Sequence, residues 1–312
     1  MAVKKVVAKH GTRRIRFFYG MVSVVVIALF FLLPPSLPPQ SNLNHRDYFS
    51  LFSFAPRPLA KAKGNPNFSN ISARSFVVMD YESGKLLVAH NSDLPLPPAS
   101  LTKMMTALVA VEKFSPDDWL QVSSDYPVGK TMGLKKGTEM RAEDLLFGLL
   151  VHSANDAAFV IADNYNRRSS VNFIERMNQK SKEIGLTETH FFNFDGEEDT
   201  GHYSTARDLA LLARVFLKNK TLAKMVTTKK MVVYDRSGNS YYLQTTDELL
   251  YANAGFRGIK TGWTLTAGEC FAGLFVKGDK KLITVVLHSI DRFADTRVLA
   301  DQVINNFSWS AP

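Results

Sequence analysis

The chain is short of the residues that several kinds of hydrolase need. Cys270 is its only cysteine, so no internal disulfide can brace the fold, and the core must supply the stability. A single thiol of this kind is expected to be buried as a small apolar group. The histidines, His10, His45, His90, His152, His190, His202 and His288, are dispersed, with no H-x-H or H-E-x-x-H pairing. That removes the usual ligand spacing for a catalytic zinc, and no metal or cofactor is implied. No G-x-S-x-G elbow is present either, which excludes the common Ser-His-Asp arrangement on an α/β sheet. Internal repeats are absent.

Basic charge is scarce outside the first residues. Of the net +9, six charges come from Lys4, Lys5, Lys9, Arg13, Arg14 and Arg16, leaving +3 for the remainder. A body so nearly neutral offers no electrostatic footprint for nucleic acid.

Directly after the basic tail comes an uncharged apolar run, Phe17 to Leu33. A basic flank before such a run is the layout of an export signal, with the positive end kept in the cytoplasm. Seventeen residues exceed a usual cleaved signal core and approach a membrane span. The nearest small-x-small site, Ala60-Lys61-Ala62, lies far downstream. The expectation is therefore an uncleaved single-pass anchor in the cell membrane, with everything after it outside the cytoplasm.

Residues 34–71, rich in Pro, Ser and Asn, read as a linker. Residues 72–312 read as one folded domain. Strand patterns occur at Ala73–Asp80, Leu86–His90, Met231–Tyr234, Tyr241–Thr245, Cys270–Lys277 and Lys281–Ser289. Helical periodicity fills Ser100–Phe114 and most of 141–225, and returns from Phe293 to about Phe307. Strands at both ends with helices between predict an α+β fold: an antiparallel sheet flanked by helices, with a helical insert.

Three short motifs lie in one order: Ser100-Leu101-Thr102-Lys103, Ser153-Ala154-Asn155 and Lys260-Thr261-Gly262. Ser100 opens a helix behind Pro97-Pro98-Ala99, where the dipole favours negative charge. Lys103, three residues on, shares its helical face. A lysine acts as a base only when neutral, and burial beside a second cation such as Lys260 favours that state. The plain alternative is a capping serine with a solvated lysine. Ser153 and Asn155 sit between two helical patterns, where they could cap free amides, present polar groups to a cleft, or both. Lys260, Thr261 and Gly262 lie on a strand whose ammonium, hydroxyl and main-chain N–H groups suit a carboxylate, and Gly262 lets a ligand approach the backbone. The plain reading here is a strand-end lysine beside a turn.

Together with blocks such as Pro98-Ala99-Ser100-Leu101-Thr102-Lys103-Met104-Met105-Thr106, His202-Tyr203-Ser204-Thr205-Ala206-Arg207-Asp208 and Gly258-Ile259-Lys260-Thr261-Gly262-Trp263-Thr264, these motifs make residues 73–307 resemble the D-alanyl-D-alanine carboxypeptidases, the low-molecular-mass penicillin-binding proteins. The resemblance implies a β-lactamase/transpeptidase-like fold. It implies Ser100 as nucleophile, Lys103 as its base, Ser153 as a proton relay and Asn155 as a holder of Lys103 and substrate amide. Lys260 and Thr261 would bind the terminal carboxylate, and the N–H groups of Ser100 and Trp263 would form an oxyanion hole. Peptidoglycan stem peptides are the implied substrate and β-lactams the implied inhibitors. Ala154 departs from the glycine many members have there. The C-terminal β domain of many members is not expected here, and the N-terminal segment would replace its tether. Arg297 is a further candidate for carboxylate binding. A D,D-endopeptidase, a β-lactamase or a silent wall-binding scaffold would share much of this pattern.

Overall fold

The computed structural model describes residues 59–252 and 254–310. The basic tail 1–16, the apolar run 17–33 and the linker to residue 58 lie outside the described residues. Among the described residues, no helix is long and apolar enough to cross a membrane.

The chain begins with β1 (Leu59–Ala62), β2 (Ser75–Asp80) and β3 (Leu86–His90). A 3-10 turn (Ala99–Thr102) then leads into α1 (Lys103–Lys113), followed by β4 (Trp119–Gln121) and β5 (Glu139–Arg141). Next come α2 (Ala142–Phe147), a π-type turn (Gly148–His152), α3 (Asn155–Arg167), α4 (Phe173–Glu183), α5 (Ala206–Lys218) and α6 (Lys220–Met225). The last part holds β6 (Lys230–Tyr234), β7 (Ser240–Gln244), β8 (Phe256–Thr264), β9 (Gly268–Lys277), β10 (Lys280–Ser289), α7 (Arg292–Asn306) and β11 (Phe307–Ser310).

Five strands form the central antiparallel sheet in the order β3-β2-β10-β9-β8. Both faces are covered, which explains the near-continuous apolar runs of β2 and β10. In β2 the alternation is visible: Val77 and Met79 enter one core with α1 and α5, while Phe76 and Val78 enter a second core under α7. The helical insert surrounds α1, whose residues 103–110 are all buried. A helix apolar almost all round belongs at the centre of a domain. The α+β architecture is the one expected from the sequence.

Several features depart from the sequence reading, among them the helix expected from Ser100, which is α-helical only from Lys103. The stretch assigned to linker does not stay free to residue 71: β1 pairs antiparallel with β11, Ala62 opposite Phe307. The ribbon β4–β5 was not foreseen, because three-residue strands carry almost no periodic signal.

Candidate active site

The 3-10 turn that carries Ser100 is built under strain. Ala99 has φ +48°, a left-handed conformation uncommon for a residue with a β-carbon. Its carbonyl accepts Thr102 Oγ1 at 2.8 Å, and Thr102 Oγ1 also meets His202 Nε2 at 2.7 Å. His202 is buried, and burial lowers its pKa to about 4, so the ring is neutral. Since its Nδ1 accepts the N–H groups of Phe192 and Asn193, the proton sits on Nε2 and is donated to Thr102. Strain of this kind persists where surrounding contacts over-determine it.

Lys103 begins α1 directly behind Ser100 and is fully buried. Its Nζ lies 2.8 Å from Ser100 Oγ, 2.6 Å from Asn155 Oδ1 and 2.6 Å from the Asp195 carbonyl. Burial lowers its pKa to about 8, against the opposing pull of Asp195, Glu197 and Asp156. The solvated-lysine alternative is thereby excluded.

The second motif comes after the π-type turn. Ser153 takes φ +63°, and α3 starts at Asn155 with Ala154 before it, fully buried and making no side-chain cap. Neither Ser153 nor Asn155 caps the helix. Ser153 Oγ instead accepts Lys260 Nζ at 2.8 Å, while Asn155 faces Lys103. Asp156, in the first turn of the helix, accepts the N–H of Ala157 and, from the loop between β4 and β5, those of Met132, Gly133 and Leu134.

The third motif lies on β8, an edge strand of the sheet. Lys260 is 1% exposed, so it is no solvated strand-end lysine. Burial, then repulsion from Lys103, Lys130 and Arg292, holds its pKa well below the usual lysine range. Thr261 Oγ1 shares a short hydrogen bond with Thr246 Oγ1. A β-carbon on Gly262 would come within 3.0 Å of Ser100 N and of Ala99 Cβ, so glycine is what allows β8 to lie against the turn that carries Ser100. Trp263 is next along the strand, with its side chain 61% exposed.

The three motifs therefore meet in one cleft of ≈600 Å³, lined by Ser100, Ser153, Asn155, Thr261, Gly262 and Trp263. Five participants escaped the sequence reading. The Asp195 carbonyl and the Glu197 carboxylate come from a loop that carries no motif. Thr246 and Lys130 carry no local signal. Arg292, not Arg297, is the arginine of the cleft: its guanidinium donates to the Gly262 carbonyl at 2.9 Å. Arg297 is exposed and lines a separate hollow with Gly255 and Phe275.

A profile of the D-alanyl-D-alanine carboxypeptidases matches residues 60–290. The D-alanyl-D-alanine carboxypeptidase DacF of Bacillus subtilis is 34% identical over 245 residues, covering 76% of this chain and 62% of the relative. DacC of Escherichia coli is also 34% identical, over 252 residues, covering 76% and 61%. The chain thus spans about three fifths of the length of these curated relatives. The Streptomyces K15 DD-transpeptidase superposes with a TM-score of 0.72 at 29% identity, over 77% of this chain and 99% of that one. Penicillin-binding protein D2 of Listeria monocytogenes, in its ampicillin-bound form, gives 0.67 at 30% identity, over 77% and 100%. The fold is transpeptidase-like, and with its three motifs joined in one cleft the chain belongs to the D-alanyl-D-alanine carboxypeptidase family.

Proposed function

We propose that this chain is a serine-type carboxypeptidase that removes the terminal D-alanine from peptidoglycan stem peptides through an acyl-Ser100 intermediate. The observation that carries the reading is the environment of Lys103 Nζ. A neutral amine keeps two N–H bonds and one lone pair. Asn155 Oδ1 and the Asp195 carbonyl can hold the two N–H bonds, which leaves the lone pair for the Ser100 hydroxyl. With a pKa near 8, about one lysine in ten is neutral at pH 7.

Ser100 Oγ attacks the carbonyl carbon of the D-Ala-D-Ala bond as its proton passes to Lys103. The oxyanion forms beside the N–H groups of Ser100 and Trp263, a contribution of about 3 kcal/mol per donor. The C–N bond then breaks, and Ser153, held by Lys260, relays to the departing amine the proton that Lys103 took from Ser100. Thr261, the Lys260 amine and the Arg292 guanidinium favour a free carboxylate at that end of the cleft, which is what distinguishes a terminal D-alanine from a cross-link. Water hydrolyses the ester and frees Ser100. A penicillin offers the same carbonyl and carboxylate and leaves a slower ester.

The reading extends to location: the basic tail 1–16 stays in the cytoplasm, residues 17–33 anchor the chain, and the catalytic body works outside the membrane.

The test pairs two readouts on the wild type and Ser100→Ala. A fluorescent penicillin should label Ser100 and no other residue, located by mass spectrometry, and free D-alanine should appear from a pentapeptide stem. Label without D-alanine release would shift the reading to an endopeptidase. A folded protein that takes no label would leave a scaffold that has kept its motifs.

A further inference from the structure

Glu197 belongs to none of the three motifs, yet it reaches the polar centre of the cleft. Its Oε1 accepts Asn155 Nδ2 at 2.6 Å, and Asn155 in turn presents Oδ1 to Lys103 Nζ at 2.6 Å. The two ends of an amide are nearly alike in shape, and only their partners decide which way it faces. Turned over, Asn155 would set its NH2 against Lys103 and its oxygen against a carboxylate, two repulsive contacts in place of two hydrogen bonds. Asn155 is 2% exposed, so solvent offers little compensation.

Two segments are shaped around this pair. On one side the loop holding Glu197 is pinned by Asn193, whose Nδ2 donates to the Glu197 carbonyl at 2.9 Å and whose Oδ1 accepts Gly196 N at 2.7 Å. On the other side Gly129, at φ +61°, lies flat against the hydrogen bond itself. A β-carbon there would overlap both Asn155 Nδ2 and Glu197 Oε1.

We propose that Glu197 is a positioning residue for acylation: by accepting Asn155 Nδ2 it fixes the amide with Oδ1 toward Lys103 and so aims the lysine at Ser100. This rests on Ser100 and Lys103 being nucleophile and base. Glu197 acts through Asn155, and only one of the two Nδ2 hydrogens is used, which leaves the other for substrate.

The charge of Glu197 has a second effect, separable from the first. Lys103 faces Asp195 and Glu197 from the loop and Asp156 from α3, with Lys260 on β8 and His202 also within its field. Each carboxylate favours the ammonium. Loss of one therefore lowers the pH at which Lys103 becomes neutral.

The experiment measures second-order acylation by a fluorescent penicillin from pH 6 to 10, with kcat and KM for D-alanine release, on the wild type, Glu197→Gln, Glu197→Ala and Gly129→Ala. Glu197→Ala should lose at least about tenfold of the plateau acylation rate, in kcat rather than KM. Glu197→Gln keeps an acceptor, so its plateau should return to within about threefold of wild type, with the acid limb moved to lower pH. Gly129→Ala, which wedges the pair apart but keeps the carboxylate, should behave as Glu197→Ala does, and it carries the comparison if Glu197→Ala does not fold. A wild-type plateau in Glu197→Ala overturns the proposal, as does a Glu197→Gln that falls as far as Glu197→Ala. A wild type that is not acylated overturns the function reading itself.

Discussion

Lys260 Nζ donates to Ser153 Oγ at 2.8 Å across 107 residues of sequence, joining the edge of the sheet to the head of α3. The hydrogen bond spans the boundary between sheet and helical insert, and the cleft lies along that boundary. Catalytic geometry here therefore depends on how two layers pack, and several consequences can be measured.

Acylation should depend on pH through Lys103. Burial holds its pKa near 8, and in the proposed mechanism only the neutral amine takes the Ser100 proton. The second-order rate with a penicillin should thus rise about tenfold per pH unit below 8 and level off above it. A rate that stays flat from pH 6 to 9 would remove Lys103 as the base.

Gly262→Ala tests the approach of β8 to the Ser100 turn. The new methyl would meet Ser100 N and Ala99 Cβ at 3.0 Å and the Pro98 carbonyl at 3.2 Å. Acylation should fall at least about tenfold, because the turn and the strand must move apart. Overpacking at one contact should cost only about 1–3 kcal/mol of stability. Rate and urea midpoint, measured together, check both halves.

Asp156 holds the segment behind the second motif. It is 2% exposed and accepts the N–H groups of Met132, Gly133, Leu134 and Ala157. Asp156→Ala leaves those donors without their acceptor and should destabilise the fold by at least about 3 kcal/mol in urea unfolding. A loss under about 1 kcal/mol would show that the loop re-forms its contacts elsewhere.

Cys270 should be inert in the folded protein. Burial raises its thiol to about 11, so at pH 8 about one molecule in a thousand carries the thiolate that alkylates. Iodoacetamide should give no product on the native chain within hours and one equivalent in denaturant. Rapid native labelling would mean that β9 opens locally.

The spacing of Ser100 and Lys103 was legible because it is local: three residues on a helix fix a common face whatever the rest of the chain does. The strands β2 and β10 were legible in their local residue patterns for the same reason. The boundaries were less so. The helix expected from Ser100 starts as a 3-10 turn and becomes α-helical only at Lys103, since Ala99 is held left-handed by contacts with distant residues. Arg297 and Arg292 sit five residues apart near the start of one helix, and nothing local to either tells which faces the cleft.

By itself, then, the sequence determined the α+β class and the chemical identities of the three motifs, because periodicity and short spacings act within a few residues. Only the tertiary structure decided that Lys103 and Lys260 are buried, that the Asp195 carbonyl and Glu197 complete the centre, and that β1 joins β11. A carbonyl has no sequence signature, and burial is a property of what packs around a residue. The depressed lysine pKa values result from that burial, so the chemistry of the cleft exists only once sheet and helices have closed on it.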